Sequence, residues 1–308
     1  MFLSIILPLF FKSPFIQNLL VIIAINIILV LSLDMILGHM GLISLGHAGF
    51  VGIGAYTCVL LVVKCKVPFL IGLLAGTTMA GLVGILIGYP SLRLRGQYFI
   101  IITFICGIIF TMLFTNLISI TNGPMGIPGV ARPKIVLGGF LTLNFASRTS
   151  YYYLVLAFIF PVLFLKYRFF NSKMGRALLA IREEEDLGKS VGIRTHLYKV
   201  VVFGISTAIA GLAGGLYADY LRFVGPDAFT YFDSFNLFVM NMVGGSGTIV
   251  GPIIGPLLLT IIDQFFQLFK PEVARIFFGL FLILIILYMK KGLMGLGRQL
   301  FYQRKDRI

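Results

Sequence analysis

The chain reads as an all-α polytopic membrane protein, and three observations carry that reading. Of its 308 residues 59% are hydrophobic and 12% charged, where a soluble domain carries about 25% charged residues. The apolar residues gather into runs that suit membrane-spanning helices of about 20 residues each. The net charge of +14 sits beside those runs, where Lys and Arg orient spans and meet lipid headgroups. The length gives room for about eight to ten transmembrane helices in a single membrane domain covering 1–308. No basic patch interleaved with aromatics is present, so nucleic acid is excluded as a partner and the lipid bilayer takes its place.

Taken in order, the apolar runs fall at 2–11, 15–36, 41–63, 67–90, 97–118, 151–167, 198–221, 229–244, 249–269 and 273–289. The first is too short to span unaided. It has no basic start and no small-residue cleavage site, so it reads as an anchor or short first helix and not as a cleaved signal. Three basic regions fix the expected topology: Arg93 and Arg95, a polar island over 166–199, and a tail at 290–308. All three are expected on the cytoplasmic side, which makes the C-terminus cytoplasmic. Bringing the tail back inside requires an odd number of crossings in 229–289, so 229–269 forms either two crossings or a re-entrant hairpin, with GGSGT at 244–248 as its turn or its break.

The segment 119–150 is then extracytoplasmic. Its Gly and Pro, PMGIPG above all, break any helix. A short strand or half-helix is expected around 135–144. Cys58, Cys65 and Cys106 are odd in number, without a CxxC pair, and read as packing residues.

Small residues recur every four positions at Gly72, Gly76, Ala80, Gly84 and Gly88, again at Gly247, Gly251 and Gly255, and once more at Gly211 and Gly215. On a helix such a row lets a neighbouring backbone approach closely. The stretch Gly38 to Tyr56 is different, because its glycines are irregular and mark a helix break whose freed N–H groups suit a carboxylate. The translocation path is accordingly expected along Gly46, His47, Gly49, Gly52 and Tyr56 together with Gly244, Gly245 and Gly247. His39 and His47 fall on roughly one helical face without a carboxylate or Cys at ligand spacing, so no metal site is expected.

Asp34, Asp219 and Asp263 lie in or beside apolar runs. The first two stand near segment ends within reach of water, which leaves Asp263 as the buried candidate. GKS at 188–190 lacks the Gly at 183 that a phosphate loop needs, and GGSG lacks dinucleotide-binding spacing. With no catalytic constellation on the soluble faces, the chain is expected not to be an enzyme.

Five motifs in order, GLISLGHAGFVGIGAY, RLRGQYFIIITF, TNGPMGIPG, GRALLAIREEE with VGIRTHLYKVVVFGISTAIAGLAGGLYA, and MVGGSGTIVGPIIG, span about 35–260. Together they resemble the membrane subunit of bacterial ABC importers for branched-chain amino acids, of the LivM type. The resemblance implies a type II-like importer permease in the bacterial inner membrane. Its implied partners are a second, homologous permease, two cytoplasmic ATPase subunits and an extracytoplasmic solute-binding protein. The chain itself would bind no cofactor, and Mg-ATP would sit on the ATPase subunits.

The resemblance also makes 168–197 the cytoplasmic coupling loop, whose helix would seat in an ATPase groove. Ala177, Leu178, Ala180 and Ile181 offer an apolar contact face, Arg176, Arg182, Glu183 and Glu184 a polar rim, and Gly175 the entry turn. It departs from that family at LGKS, 187–190, where small residues are the rule. The competing expectation is a self-sufficient proton-coupled transporter or channel that uses Asp263.

Overall fold

Pro14 opens the first helix among the described residues, at a position where its missing N–H costs nothing. Gly41 ends it in the left-handed conformation, φ 68°, with its N–H returned to Leu37 O. This helix, α1 (Pro14–Met40), is followed by α2 (His47–Val63), α3 (Phe69–Ser91) and α4 (Gln97–Asn116). After a connector with one helical turn at Ile118–Thr121 and a 3-10 turn at Gly123–Met125 come α5 (Arg148–Phe170), α6 (Lys173–Glu183), α7 (Thr195–Leu221), α8 (Tyr231–Gly244) and α9 (Gly251–Phe266). The computed structural model describes residues 13–266 apart from Arg95, 131–132, 138–140 and Val191, together with Gly279 and Leu293. The expected segments 2–11 and 273–289, and the tail 290–308 but for Leu293, lie outside the described residues.

Helices α1, α3, α4, α5 and α7, of 20 to 27 residues, are long and apolar enough to cross a membrane. The chain is thus an all-α polytopic membrane protein. α1 and α7 run through the middle, with most of their apolar windows buried, whereas α3, α4 and α5 expose most of theirs. The exposed side chains, such as Leu74, Leu82 and Leu86 on α3 and Ile101, Ile105 and Met112 on α4, are apolar, as a lipid-facing surface must be.

The four-residue rows pack the bundle. A Cβ on Gly54 of α2 would collide with the backbone of Gly211 on α7, and one on Gly76 of α3 would stand 2.5 Å from Gly54 O. Three backbones therefore approach with no side chain between them, which supplies the close van der Waals contact that lipid-embedded helices depend on.

Two expectations are refined. The run 41–63 is no single span: the chain is irregular over 41–46, and α2 begins at His47. His39 and His47 therefore sit on separate elements and share no helical face. In the connector, β2 (Lys134–Leu137) pairs antiparallel with β3 (Leu141–Asn144), and β1 (Ile127–Pro128) pairs with β4 (Phe223–Val224) just after α7.

α8 and α9 form a helical hairpin. α8, with 14 residues, is about 21 Å long, shorter than the roughly 30 Å of bilayer hydrocarbon, and α9 is described over 16 residues. Their glycines interlock, since a Cβ on Gly244 or Gly255 would strike backbone of the other arm. The tip, 245–248, ends against α1 and α5 inside the bundle.

Candidate functional site

At that tip a buried acid of the bundle meets a buried base. Asp34 of α1 and Lys166 of α5 are 0% and 1% exposed and pair at 2.6 Å. The other carboxylate oxygen, Oδ1, accepts from Gly247 N–H at 2.8 Å, and Lys166 Nζ also donates to Thr248 O at 2.9 Å. Gly247 takes φ 76°, a conformation that L side chains rarely adopt. A Cβ on Gly38, one turn of α1 beyond Asp34, would stand 2.5 Å from Gly247 N.

These contacts reverse the expected ranking of the acids. Asp34 and Asp219 are fully buried, while Asp263 is half-buried. Asp34 is not near a solvated end because α1 continues past the apolar run to Met40, and its last turns are covered by α5, α6 and the tip. Lys166 likewise is no part of a soluble island, since α5 carries it inside the bundle.

Beside the pair lies α6. Ser172 caps it, accepting from Gly175 N–H at 3.2 Å, and a Cβ on Gly175 would press on the carbonyls of Phe169 and Phe170 at 2.5–2.6 Å. Only glycine allows this tight turn from α5 into α6. Gly175, Leu178 and Ile181 are buried against the rest of the chain. The expected outward face of Ala177, Leu178, Ala180 and Ile181 is corrected on that point: Leu178 and Ile181, 0% and 4% exposed, turn inward because spacing of three places them on the stripe α6 lays on the bundle. Ala177 is half-buried, and Ala180 faces out with Arg176, Leu179, Glu183 and Glu184. Leu179, 43% exposed, was not singled out by the sequence.

Arg182 is exposed as a residue, yet its Nη1 donates to Gly38 O at 2.6 Å and its Cγ packs against Gly41. It ties α6 to the end of α1. After α6, a helical turn at Glu185–Ser190 is held by Lys199 of α7, whose Nζ pairs with Glu185 at 2.5 Å. Burial would raise the Glu185 carboxyl, but Lys199, helped by Lys189, overrides it and holds the group below its ordinary value.

The expected path residues are packed. Cβ atoms on Gly46, Gly49 and Gly52 would strike Thr103 O, Phe110 and Phe114 of α4, and the Tyr56 ring stacks on Phe114 with centroids 4.8 Å apart. The N-terminus of α2 is already served by side chains, Leu45 N–H by Thr103 Oγ1 and Ala48 N–H by Ser234 Oγ. His47 Nε2 lies 2.8 Å from Ser32 Oγ, while His47 Nδ1 and the Tyr56 hydroxyl find no partner among the described residues. Gly244 and Gly245 are buried and Gly247 half-buried, at the hairpin tip.

One cavity borders this stretch at Ala48 and Val51. A space of about 260 Å³ opens between α1, α2 and the hairpin, lined by Asn26, Val51, Asp233, Asn236, Met240 and Asp263 among others. Asp233 also closes the capping box of α8, accepting from Thr230 N–H at 2.9 Å. Among the described residues no three His, Cys, Asp or Glu side chains gather to hold a metal ion.

Residues 15–286 match the family described as "Branched-chain amino acid transport system / permease component". The chain is 32% identical over 264 residues to the high-affinity branched-chain amino acid transport system permease protein LivM of Escherichia coli, covering 80% of this chain and 62% of that protein. It is 26% identical to a probable LivM of Methanocaldococcus jannaschii, over 72% of this chain and 68% of that protein. To LivH of Escherichia coli it is 28% identical, over 63% and 64%. The chain thus spans less than two thirds of the length of the Escherichia coli LivM that it matches. No solved structure matches it. With the family pattern running through nearly all the described helices, the chain belongs to the branched-chain amino acid transport system permease family.

Proposed function

We propose that the chain is a membrane-spanning permease subunit of an ATP-driven importer for branched-chain or related amino acids in the bacterial inner membrane. It would take its substrate from an extracytoplasmic binding protein and work beside a homologous second permease, as the separate likeness to LivM and LivH suggests. Two cytoplasmic ATPase subunits would bind and hydrolyse Mg-ATP, leaving this chain a transport subunit. In this arrangement 168–197 and the tail 290–308 face the cytoplasm and 119–150 faces outward.

The observation that carries the reading is α6. Its Leu178 and Ile181 anchor it on the bundle, Arg182 grips Gly38 O, and Arg176, Leu179, Ala180, Glu183 and Glu184 remain outward as an apolar spot inside a polar rim. That composition suits a groove on a soluble partner. An ATPase pushing there would move α1 directly through Arg182.

The test is Arg176→Glu combined with Leu179→Asp, both on the outward face. The ATPase subunits should drop out of the purified complex and uptake of radiolabelled leucine should be lost, while the chain accumulates in the membrane as before. Unimpaired assembly and uptake would overturn the reading. Asp263 on the cavity wall keeps a rival open to the same measurement: a self-sufficient carrier would take up leucine in liposomes holding this chain alone under a proton gradient, and Asp263→Asn would abolish it.

A further inference from the structure

The buried pair at the hairpin tip joins four elements through short contacts. α6 holds α1 through Arg182 Nη1 and Gly38 O at 2.6 Å. α1 holds the tip through Asp34 Oδ1 and Gly247 N–H, and α5 holds both α1 and the tip through Lys166 Nζ. Gly38 meets Gly247 so closely that neither could carry a side chain unmoved. Any displacement of α6 that Arg182 passes to Gly38 therefore reaches Gly247 directly.

Two charges at this depth are costly to desolvate, and well-packed apolar residues of similar volume often serve stability as well or better. What apolar residues cannot supply is direction. A carboxylate with one oxygen on an ammonium and the other on a backbone N–H allows a single register of the tip against α1 and α5.

We propose that Asp34 and Lys166 are positioning residues that lock the 245–248 tip to α1 and α5, so that movement of α6 is delivered to the α8–α9 hairpin. The proposal rests on the reading of α6 as the ATPase-facing helix. The hairpin walls the cavity through Asp233, Met240 and Asp263, so the lock sets the cavity's shape in step with ATP hydrolysis.

The experiment uses the complete importer in proteoliposomes and reads leucine uptake per ATP hydrolysed at equal amounts of assembled complex. In Asp34→Leu/Lys166→Leu both charges leave together. Hydrolysis should continue while uptake per ATP falls about 5- to 150-fold, the span of typical coupling between distant sites. The exchanged pair Asp34→Lys/Lys166→Asp keeps the charges but reverses the donors and acceptors offered to Gly247 and Thr248. It should assemble and remain equally uncoupled.

Wild-type uptake per ATP in either double variant overturns the proposal. Failure of both to assemble, with each chain inserted and stable alone, also overturns it, because the pair would then serve folding of the complex and not coupling. If the wild-type chain copurifies with no ATPase, it is the reading of α6 that fails.

Discussion

Where α2, α3 and α7 meet, backbone touches backbone: Gly54, Gly76 and Gly211 carry no side chain, and Ala80 brings only a methyl group. Where α1 and α5 meet the hairpin tip, a carboxylate and an ammonium do the joining, each with a second bond to the tip's backbone. Both regions are buried. The first gains from shape alone and tolerates only small residues, so it fixes three helices as a rigid block. The second costs desolvation and gains direction, which suits a contact that has to hold one register. The charged seam is tied to α6 through Arg182 and Gly38, whereas the glycine contacts join α2, α3 and α7 to one another.

The largest effect should come from unbalancing the seam. Lys166→Met leaves Asp34 buried without its counter-ion and should cost about 3–5 kcal/mol, read as a drop in unfolding midpoint in mixed micelles. Asp34→Leu/Lys166→Leu should recover most of it. A double variant as damaged as the single one would make the seam another steric contact, and the contrast with the glycine block would disappear. In the block, Gly54→Val should cost at the upper end of about 1–3 kcal/mol for overpacking, because the backbone of Gly211 that it meets has little room to retreat. Gly96→Ala makes the control in the same assay. Space around Gly96 is open and its φ is 56°, so only backbone strain, of order 1 kcal/mol, is expected there.

The smallest effect is set by pH at the edge of the seam. Glu185 is held below its ordinary value of 4.5, so the contact of the 185–190 turn with Lys199 is fully present above that value and fades as pH falls through the lowered one. Hydrogen exchange of the 185–190 amides should therefore quicken, relative to the intrinsic rate, on acidification into that range. Glu185→Gln should remove the dependence and leave α6 in place.

The glycine block was legible in the sequence because four-residue spacing on one helix is a local pattern, and α3 and α7 display it, whereas in the third row Gly247 lies off the helix in the hairpin tip. The helix break within 38–56 was legible for another reason, the crowding of small residues there. The path residues were not, because irregular glycines say that something approaches closely without saying what. At Gly46, Gly49 and Gly52 the neighbour is α4, and the cavity borders that stretch only at Ala48 and Val51. On α6, the alternation of apolar and charged residues marked an amphipathic helix, but which stripe faced inward depended on how α5 delivers it. Glycine at 175 sets that turn, and it sends Leu178 and Ile181 down onto the bundle.

By itself the sequence determined the class, the positions of the five long spans, the polar segment after α5 and the rows along which helices approach, since each follows from composition or a short repeat in one stretch of chain. Only the tertiary structure decided which ionisable groups are buried together. Asp34 and Lys166 stand 132 residues apart, one near the end of an apolar run and the other at the edge of a basic island. Each taken singly reads as a solvated boundary residue. Burial is a property of the neighbours that cover a position, and here those neighbours come from four separate segments.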